Sequence, residues 1–211
     1  MISRLLRPAR TALARQLGHP SGWTGRAVLR MLNRANAVMA EAALAALALG
    51  PEDELLDVGF GGGDLLARAL DTPGLRATGL DRSTDAVVTA AARFRTALDE
   101  DRLWLREGDA ADLPFADRTF TAVASLNTLY FLDDPAAAFA EWARASRSGG
   151  RLALGYAAPA SLRRRPLFES FHVHAAPDVE AMLAEAGWAD VSTIDHGTRH
   201  RAFHLTRARR A

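Results

Sequence analysis

The sequence predicts an α/β protein built on an open, doubly wound sheet, and three observations carry that expectation. The first is the stretch Leu55-Leu56-Asp57-Val58-Gly59-Phe60-Gly61-Gly62-Gly63-Asp64-Leu65-Leu66. An apolar run ends there in an acid, passes through a glycine turn and opens a new helical pattern, the order of strand, tight loop and helix N-terminus that cradles a nucleotide-like ligand. The second is the alternation of strand-like apolar runs with helix-period segments after Gly50-Pro51. The third is Phe120 to Leu126, a continuous β-rich apolar run of the kind that is covered on both faces.

Each element follows from its local pattern. A helical period carries Leu29, Leu32, Val38 and Leu44 through roughly residues 25 to 48, and Gly50-Pro51 stops it. Ahead of it, His19-Pro20-Ser21-Gly22-Trp23-Thr24-Gly25 breaks the pattern. It reads either as a surface loop with Trp23 packed on the core or as part of a lid. The first strand is Glu54 to Val58 and the helix after it Asp64 to Leu70. A second strand ends at Asp81, and Ser83 caps a helix whose Val87, Ala91, Phe94 and Leu98 share a face. Leu103 to Arg106 is a third strand and Phe120 to Leu126 a fourth. Asp133-Asp134-Pro135 starts a helix with proline at its first position and a buried stripe of Phe139, Trp142 and Ala143. A fifth strand spans Arg151 to Tyr156. Ala157 to Pro177 then loses periodicity around Arg163-Arg164-Arg165, which marks an insertion of the sort that carries specificity. A helix bearing Val179, Met182, Leu183 and Ala186 stops at Gly187, and two strands follow near Val191 to Asp195 and Ala202 to Thr206.

Composition bounds the function. A chain of 211 residues with 49% hydrophobic and 24% charged residues can bury a sizeable core. Without cysteine there is no disulfide framework, thiolate metal site or cysteine nucleophile, which suits a cytoplasmic location. All 26 basic residues are arginine, and the net charge of +1 gives no global attraction to nucleic acid. Seven arginines precede the first acid, Glu41. That start also describes an organellar transit peptide, but serine is scarce and the pattern runs on into the folded segment. The apolar stretch Ala35 to Leu49 contains Glu41 and is too short to span a membrane.

The glycine spacing discriminates among ligands. The dinucleotide form Gly-x-Gly-x-x-Gly fails at Asp64, whereas Asp57-x-Gly59-x-Gly61-x-Gly63 places a carboxylate two residues before the first glycine. This pattern resembles motif I of the class I S-adenosylmethionine (SAM) dependent methyltransferases. Four more stretches match that family in order: Ala77 to Ser83 as the second strand with its terminal acid, Glu107 to Phe115 as the adenine-contacting loop, Phe120 to Asn127 as the fourth strand, and Ser148 to Leu154 as the turn into the fifth. The small-molecule enzymes of quinone biosynthesis are the subgroup it resembles. The resemblance implies a Rossmann-like, mostly parallel seven-stranded sheet with an antiparallel C-terminal hairpin and helices on both faces. One domain is expected over residues 1–211, with a helical or lid segment at 1–48 and the core at 50–207.

The resemblance also assigns residues. Asp57, Gly59, Phe60, Gly61 and Gly63 are expected to contact the cofactor SAM, with Asp81 and Arg82 near the ribose, Asp109 and Ala110 near the adenine, and Asn127 where cofactor and acceptor meet. Structural alternatives stand beside these roles: Asp57 supporting the loop, Asp81 partnering a helix N-terminus, Asp109 forming a turn. Asn127 is followed by Thr128-Leu129-Tyr130 and so lacks the Asn-Pro-Pro-aromatic signature of amino-methylating enzymes. No catalytic residue is assigned. His172, His174 and Tyr130 are the catalytic candidates, the histidines as acceptor contacts or general base, and no metal is expected. The function implied is methyl transfer from SAM to O, N or C of a small molecule. RNA as acceptor, using the basic N-terminal arm and Arg163 to Arg165, is one alternative, and a SAM-binding scaffold without turnover is another. A homodimer is compatible with all three.

Overall fold

The computed structural model describes residues 37–162, 172–197 and 202–211. The expected break around Trp23, the basic N-terminal arm through Arg34 with Leu29 and Leu32, and Arg163 to Arg165 lie outside the described residues. A helix whose described part covers residues 37–47 (α1) leads into β1 (Glu54–Val58). Then follow α2 (Asp64–Ala69), β2 (Arg76–Asp81), α3 (Thr84–Arg93), α4 (Arg95–Asp99), β3 (Leu103–Glu107) and β4 (Phe120–Leu126). A 3-10 turn at Leu129–Phe131 precedes α5 (Pro135–Ala145) and β5 (Ser146–Ala157). The chain closes with α6 (Pro159–Leu162), α7 (Ala176–Glu185), β6 (Trp188–His196) and β7 (Phe203–Arg210).

The seven strands form one sheet in the order β3-β2-β1-β4-β5-β7-β6. Neighbours from β3 to β5 run parallel, and β7 lies antiparallel to both β5 and β6. The Rossmann-like sheet with its antiparallel C-terminal pair is therefore present. Its order reverses at β1 and β4, and that switch point is where an open α/β sheet leaves a crevice beyond its strand ends. Alternate strand residues feed two cores. Leu56, Val58, Val123, Leu152, Leu154 and Tyr156 face α5 and α7, and Leu55, Ala77, Ala122, Ala124 and Ala153 face α1, α2 and α3.

Two side-chain caps form where the sequence places them, at Ser83 and Asp134, whereas α2 starts from Gly63 with no side-chain cap and Asp64 as its first residue. Ser83 Oγ accepts the Ala86 amide at 3.3 Å and Asp134 Oδ1 the Ala137 amide at 3.0 Å, relieving donors that a helix start leaves orphaned. Three expectations shift. Val38 is 63% exposed, and Met39, Ala40, Ala43 and Leu47 form the buried side of α1. On α3 the fully buried residues are Ala86 and Ala90, with Phe94 at the C-cap, while Val87 packs against the same core only partly buried and Ala91 lies at the edge of that face. The fifth strand starts at Ser146, five residues early: Phe120 pairs with Ser146 but Ala122 with Arg151, so the Arg147 to Gly150 turn is a bulge within the strand.

The loop between β3 and β4 is held from α5. Trp142 is fully buried and its Nε1 donates to the Ala110 carbonyl at 3.0 Å. Arg144 donates to the carbonyls of Phe115 at 2.9 Å and Leu113 at 3.1 Å while bonding Glu141 and Asp117. Those two acids raise the Arg144 pKa, and Arg144 in turn holds the Glu141 carboxyl below its usual value. Trp142→Phe keeps a ring in the core but strands the Ala110 carbonyl and leaves a small void. Urea unfolding should show a loss of about 2 kcal/mol. A loss below about 0.5 kcal/mol would mean that another donor reaches Ala110.

Candidate active site

The site is built at the carboxyl ends of β1, β2 and β4. As β1 ends, the Gly59 amide donates to the Leu80 carbonyl at 2.7 Å and the Gly63 amide to the Phe60 carbonyl at 2.8 Å, folding the loop back on itself. Gly59 has a φ of 73°, and a Cβ there would lie 2.2 Å from Thr128 Oγ1. Any side chain is thus excluded by backbone conformation and by contact together. Gly63, at φ 71°, opens α2 in the same left-handed region. Asp81 fastens the loop: its Oδ2 accepts the Gly61 amide at 2.8 Å and its Oδ1 the Ser83 amide at 2.9 Å. Arg93 reaches from α3 to donate to the Gly62 carbonyl at 2.5 Å.

Asp57 is the anomaly of the site. It is 2% exposed, and its Oδ2 has no hydrogen-bond partner. Burial, and secondarily the negative charge of Asp81, push its pKa from 3.8 up to about 8. A buried carboxyl with an unmet oxygen marks a place where a positively charged or hydrogen-donating ligand group would be stabilised.

Across the crevice, β4 is tied to β1 through hydroxyls. Ser125 Oγ donates to the Val58 carbonyl at 2.9 Å and Thr128 Oγ1 to the same oxygen at 3.2 Å. Neither residue stands out in the sequence, since a serine in an apolar strand and a threonine in a turn carry no pattern; only the β1–β4 pairing reveals them. Asn127 sits in the left-handed region at φ 57°, with its amide on the Gly155 carbonyl at 2.8 Å and its Oδ1 accepting from the Tyr130 hydroxyl at 3.1 Å. That hydroxyl also accepts the Ala157 amide. Tyr130 thereby braces the end of β4 against the end of β5, and taking an acceptor's proton would break the brace.

The other expected residues fall as follows. Phe60 is buried and its ring packs on Gly79, so any cofactor contact from residue 60 comes through its backbone. Arg82 donates to the Phe131 carbonyl at 3.2 Å, joining the β2 end to the turn after β4 across the mouth of the crevice. Asp109 forms the turn weighed as its alternative, with Oδ1 accepting the Ala111 amide at 2.9 Å. Ala110 is buried, and its carbonyl is the Trp142 acceptor. His172 is exposed, and His174 lies just before α7 with a buried, unpartnered Nε2. Burial and the neighbouring His172 depress the His174 pKa against a partial offset from Asp178, so it is neutral at pH 7. Among the described residues, no hydrogen bond joins either histidine to the glycine loop or to Asn127.

Comparison with known proteins places this architecture. Residues 56–154 match a family model described as a methyltransferase domain. The chain is 31% identical over 165 residues to a demethylmenaquinone methyltransferase of Lactiplantibacillus plantarum, covering 76% of this chain and 69% of that one. It is 36% identical over 109 residues to 27-O-demethylrifamycin SV methyltransferase of Amycolatopsis mediterranei, covering 52% and 40%. The crystal structure of the [4+2]-cyclase SpnF superposes with a TM-score of 0.74 at 20% identity, covering 90% of this chain and 84% of that one, a likeness of fold alone. The chain spans about half the length of several curated relatives it matches, 40%, 56% and 44% of three of them.

The chain belongs to the class I SAM-dependent methyltransferases. SAM is the cofactor of that family, and the residues present fit it: a side-chain-free glycine loop, an acid at the end of β2, and the buried Asp57 oxygen that a cationic group would satisfy.

The sign of the Asp57 shift makes two outcomes checkable. Between the usual carboxylate value and about 8 the folded chain holds a proton that the unfolded chain releases. Stability of the ligand-free protein therefore falls as pH rises through that window, and Asp57→Asn should flatten the fall in unfolding experiments. A cationic ligand amine beside Asp57 favours the charged carboxylate. SAM binding at pH 7 should then release up to about one proton, read by calorimetry in buffers of different ionisation enthalpy. Equal proton release by Asp57→Asn would assign it elsewhere.

Proposed function

We propose that this chain transfers the methyl group of SAM to a small-molecule acceptor seated beyond the ends of β4 and β5. The observation that carries the reading is the unsatisfied, buried Asp57 carboxyl beside a glycine loop that Asp81 holds in place. Bound SAM supplies a methyl carbon already activated on a cationic sulfur, so the protein's work is alignment and exclusion of water. Asp57 stabilises positive charge at the floor of the crevice. Gly59 to Gly63 keep side chains out of it, Asp81 offers oxygens toward a ribose diol, and Asp109 with Ala110 edges the adenine side. Asn127, locked in its turn by Tyr130, sets the distance between cofactor and acceptor.

The names of the relatives support a small organic acceptor, since one is named for demethylmenaquinone and another for a demethylated rifamycin. A cytoplasmic location belongs to the same reading. No described helix is long and apolar enough to cross a membrane.

Calorimetry with SAM and S-adenosylhomocysteine tests the assignment. Wild type should bind both at about micromolar affinity. Gly59→Ala, which drives a methyl group into Thr128, should weaken both at least about tenfold, or about 1.4 kcal/mol, with the circular dichroism preserved. Asp81→Asn should weaken binding as well, through the ribose and through the Gly61 amide it holds. Absence of SAM binding by the wild-type protein would end this reading.

A further inference from the structure

The bonds that fix the glycine loop come from three directions. The Gly59 amide is held by the Leu80 carbonyl and the Gly61 amide by Asp81, both at the end of β2, and the Gly63 amide turns back to the Phe60 carbonyl at 2.8 Å. The Gly62 carbonyl is held from outside, by Nη1 of Arg93, the last residue of α3 and 31 residues away in the chain. One peptide plane, that between Gly62 and Gly63, is thereby gripped at both edges, its oxygen by Arg93 and its N–H by Phe60. A peptide unit is planar, so it moves as a whole, by rotation about the bonds that flank it. Here those bonds belong to two glycines, with Gly63 at φ 71°, and no Cβ resists the rotation. Hydrogen bonds must supply the restraint that side chains supply elsewhere.

Arg93 is exposed, while Phe94 beside it is buried. The guanidinium lies over the Phe94 ring, 4.8 Å from its centroid, an attraction between a cation and a ring face. The same ring backs the loop, since a Cβ on Gly63 would come within 2.7 Å of it and within 3.8 Å of Arg93 Nη1. Ring and guanidinium therefore meet the loop together, one behind Gly63 and the other at the Gly62 oxygen. Among the described residues no carboxylate pairs with Arg93, whose bond is to a neutral carbonyl. Ordering so long a side chain costs rotamer entropy, and the ring and the carbonyl offset it. Asp81, by contrast, is buried. Packing fixes that acid in place, whereas the Arg93 bond lies at the surface and can open.

We propose that Arg93 is a positioning residue for the cofactor loop: by fixing the Gly62–Gly63 peptide plane it sets the affinity for SAM and the rate at which SAM leaves. This rests on SAM occupying the glycine loop, as in the reading above. With the Arg93 bond closed, the loop holds one arrangement of its amides and carbonyls. Without it the plane turns freely between glycines, only a fraction of the molecules present the binding arrangement, and the apparent affinity falls by that fraction. Arg93 thus acts through the backbone of Gly62 and Gly63, and the restraint comes from a helix outside the loop's own sequence pattern.

Calorimetry on the full chain, with SAM and S-adenosylhomocysteine as probes, tests this. Arg93→Ala should weaken both by about tenfold, the effect of one hydrogen bond from a charged donor, and by the same factor, because the loop is arranged before any methyl group moves. Arg93→Lys, which can still donate to the carbonyl, should recover part of the loss. Arg95→Ala removes the same charge from an exposed position of α4 and should leave both affinities within about twofold. Independently of any ligand, hydrogen exchange at the Gly63 amide should quicken at least about tenfold in Arg93→Ala, while that of Leu56 in β1 stays unchanged. Stopped-flow measurement should show faster release of SAM by the same variant. Arg93→Met keeps a stem over Phe94 without the donor and carries the same expectations where the alanine variant does not fold. SAM affinity of the donor-less variant within about twofold of wild type, unchanged exchange at Gly63, or an equal loss in Arg95→Ala would each overturn the proposal. A wild-type protein that binds no SAM would remove the methyl-transfer reading and the claim about affinity with it, whereas exchange at Gly63 would still show whether Arg93 holds the loop.

Discussion

The buried carboxyl of Asp57 is the constraint to which the rest of the site answers. Placing an acid at the end of a central strand, with Asp81 close by and one oxygen unmet, costs free energy in the empty protein. The fold lowers that cost by keeping the group protonated near neutrality, and a cationic ligand removes it by letting the group ionise. An unsatisfied carboxyl oxygen in a packed core favours a positively charged or hydrogen-donating partner at that point. Hydrophobic walls of Leu56, Val58 and Leu80 on one face and Leu55 and Ala77 on the other hold the acid where water does not reach it.

Around that point the rim is preorganised by bonds that cross between strands. The Val58 carbonyl receives hydroxyls from Ser125 and Thr128, Asp81 receives amides from the loop after β1 and from the start of α3, and Tyr130 joins the ends of β4 and β5. A crevice fixed in this way needs little reorganisation when a ligand enters, which is where a displacement reaction gains most from a protein. The bond from Arg82 to the Phe131 carbonyl spans the mouth of the same crevice, and its exposed position allows it to yield more easily than the buried bonds beneath.

The two halves of the rim differ in kind. Around the glycine loop the groups are backbone amides and carboxylates. Toward β5, β7 and β6 they are aromatic rings, threonines and an imidazole–carboxylate pair. The antiparallel β7 makes this second half possible. It returns its first residues to the rim, where His204 meets Asp195, whereas a parallel strand would deliver its last residues there.

Strand ends and caps were legible in the sequence because they depend on neighbours along the chain. β1 and β4 have the expected limits, β2 ends at Asp81, Ser83 and Asp134 cap their helices, and the glycine spacing separated this loop from the dinucleotide type. The family's motifs carried the seven-stranded topology further than periodicity alone. Properties that depend on residues distant in the chain were not legible. Which face of α3 is buried, the packing of Phe60 on Gly79 and the brace from Tyr130 to the Ala157 amide were settled only when strands and helices met. His204 and Asp195 are nine residues apart and have no motif spacing. Their pairing is a consequence of antiparallel register, which places cross-strand partners together whatever their separation in sequence. Local pattern was enough for the elements and the glycine loop; the polar pairs across β5, β7 and β6 came only with the tertiary structure, because they are assembled from strand ends that only the sheet brings side by side.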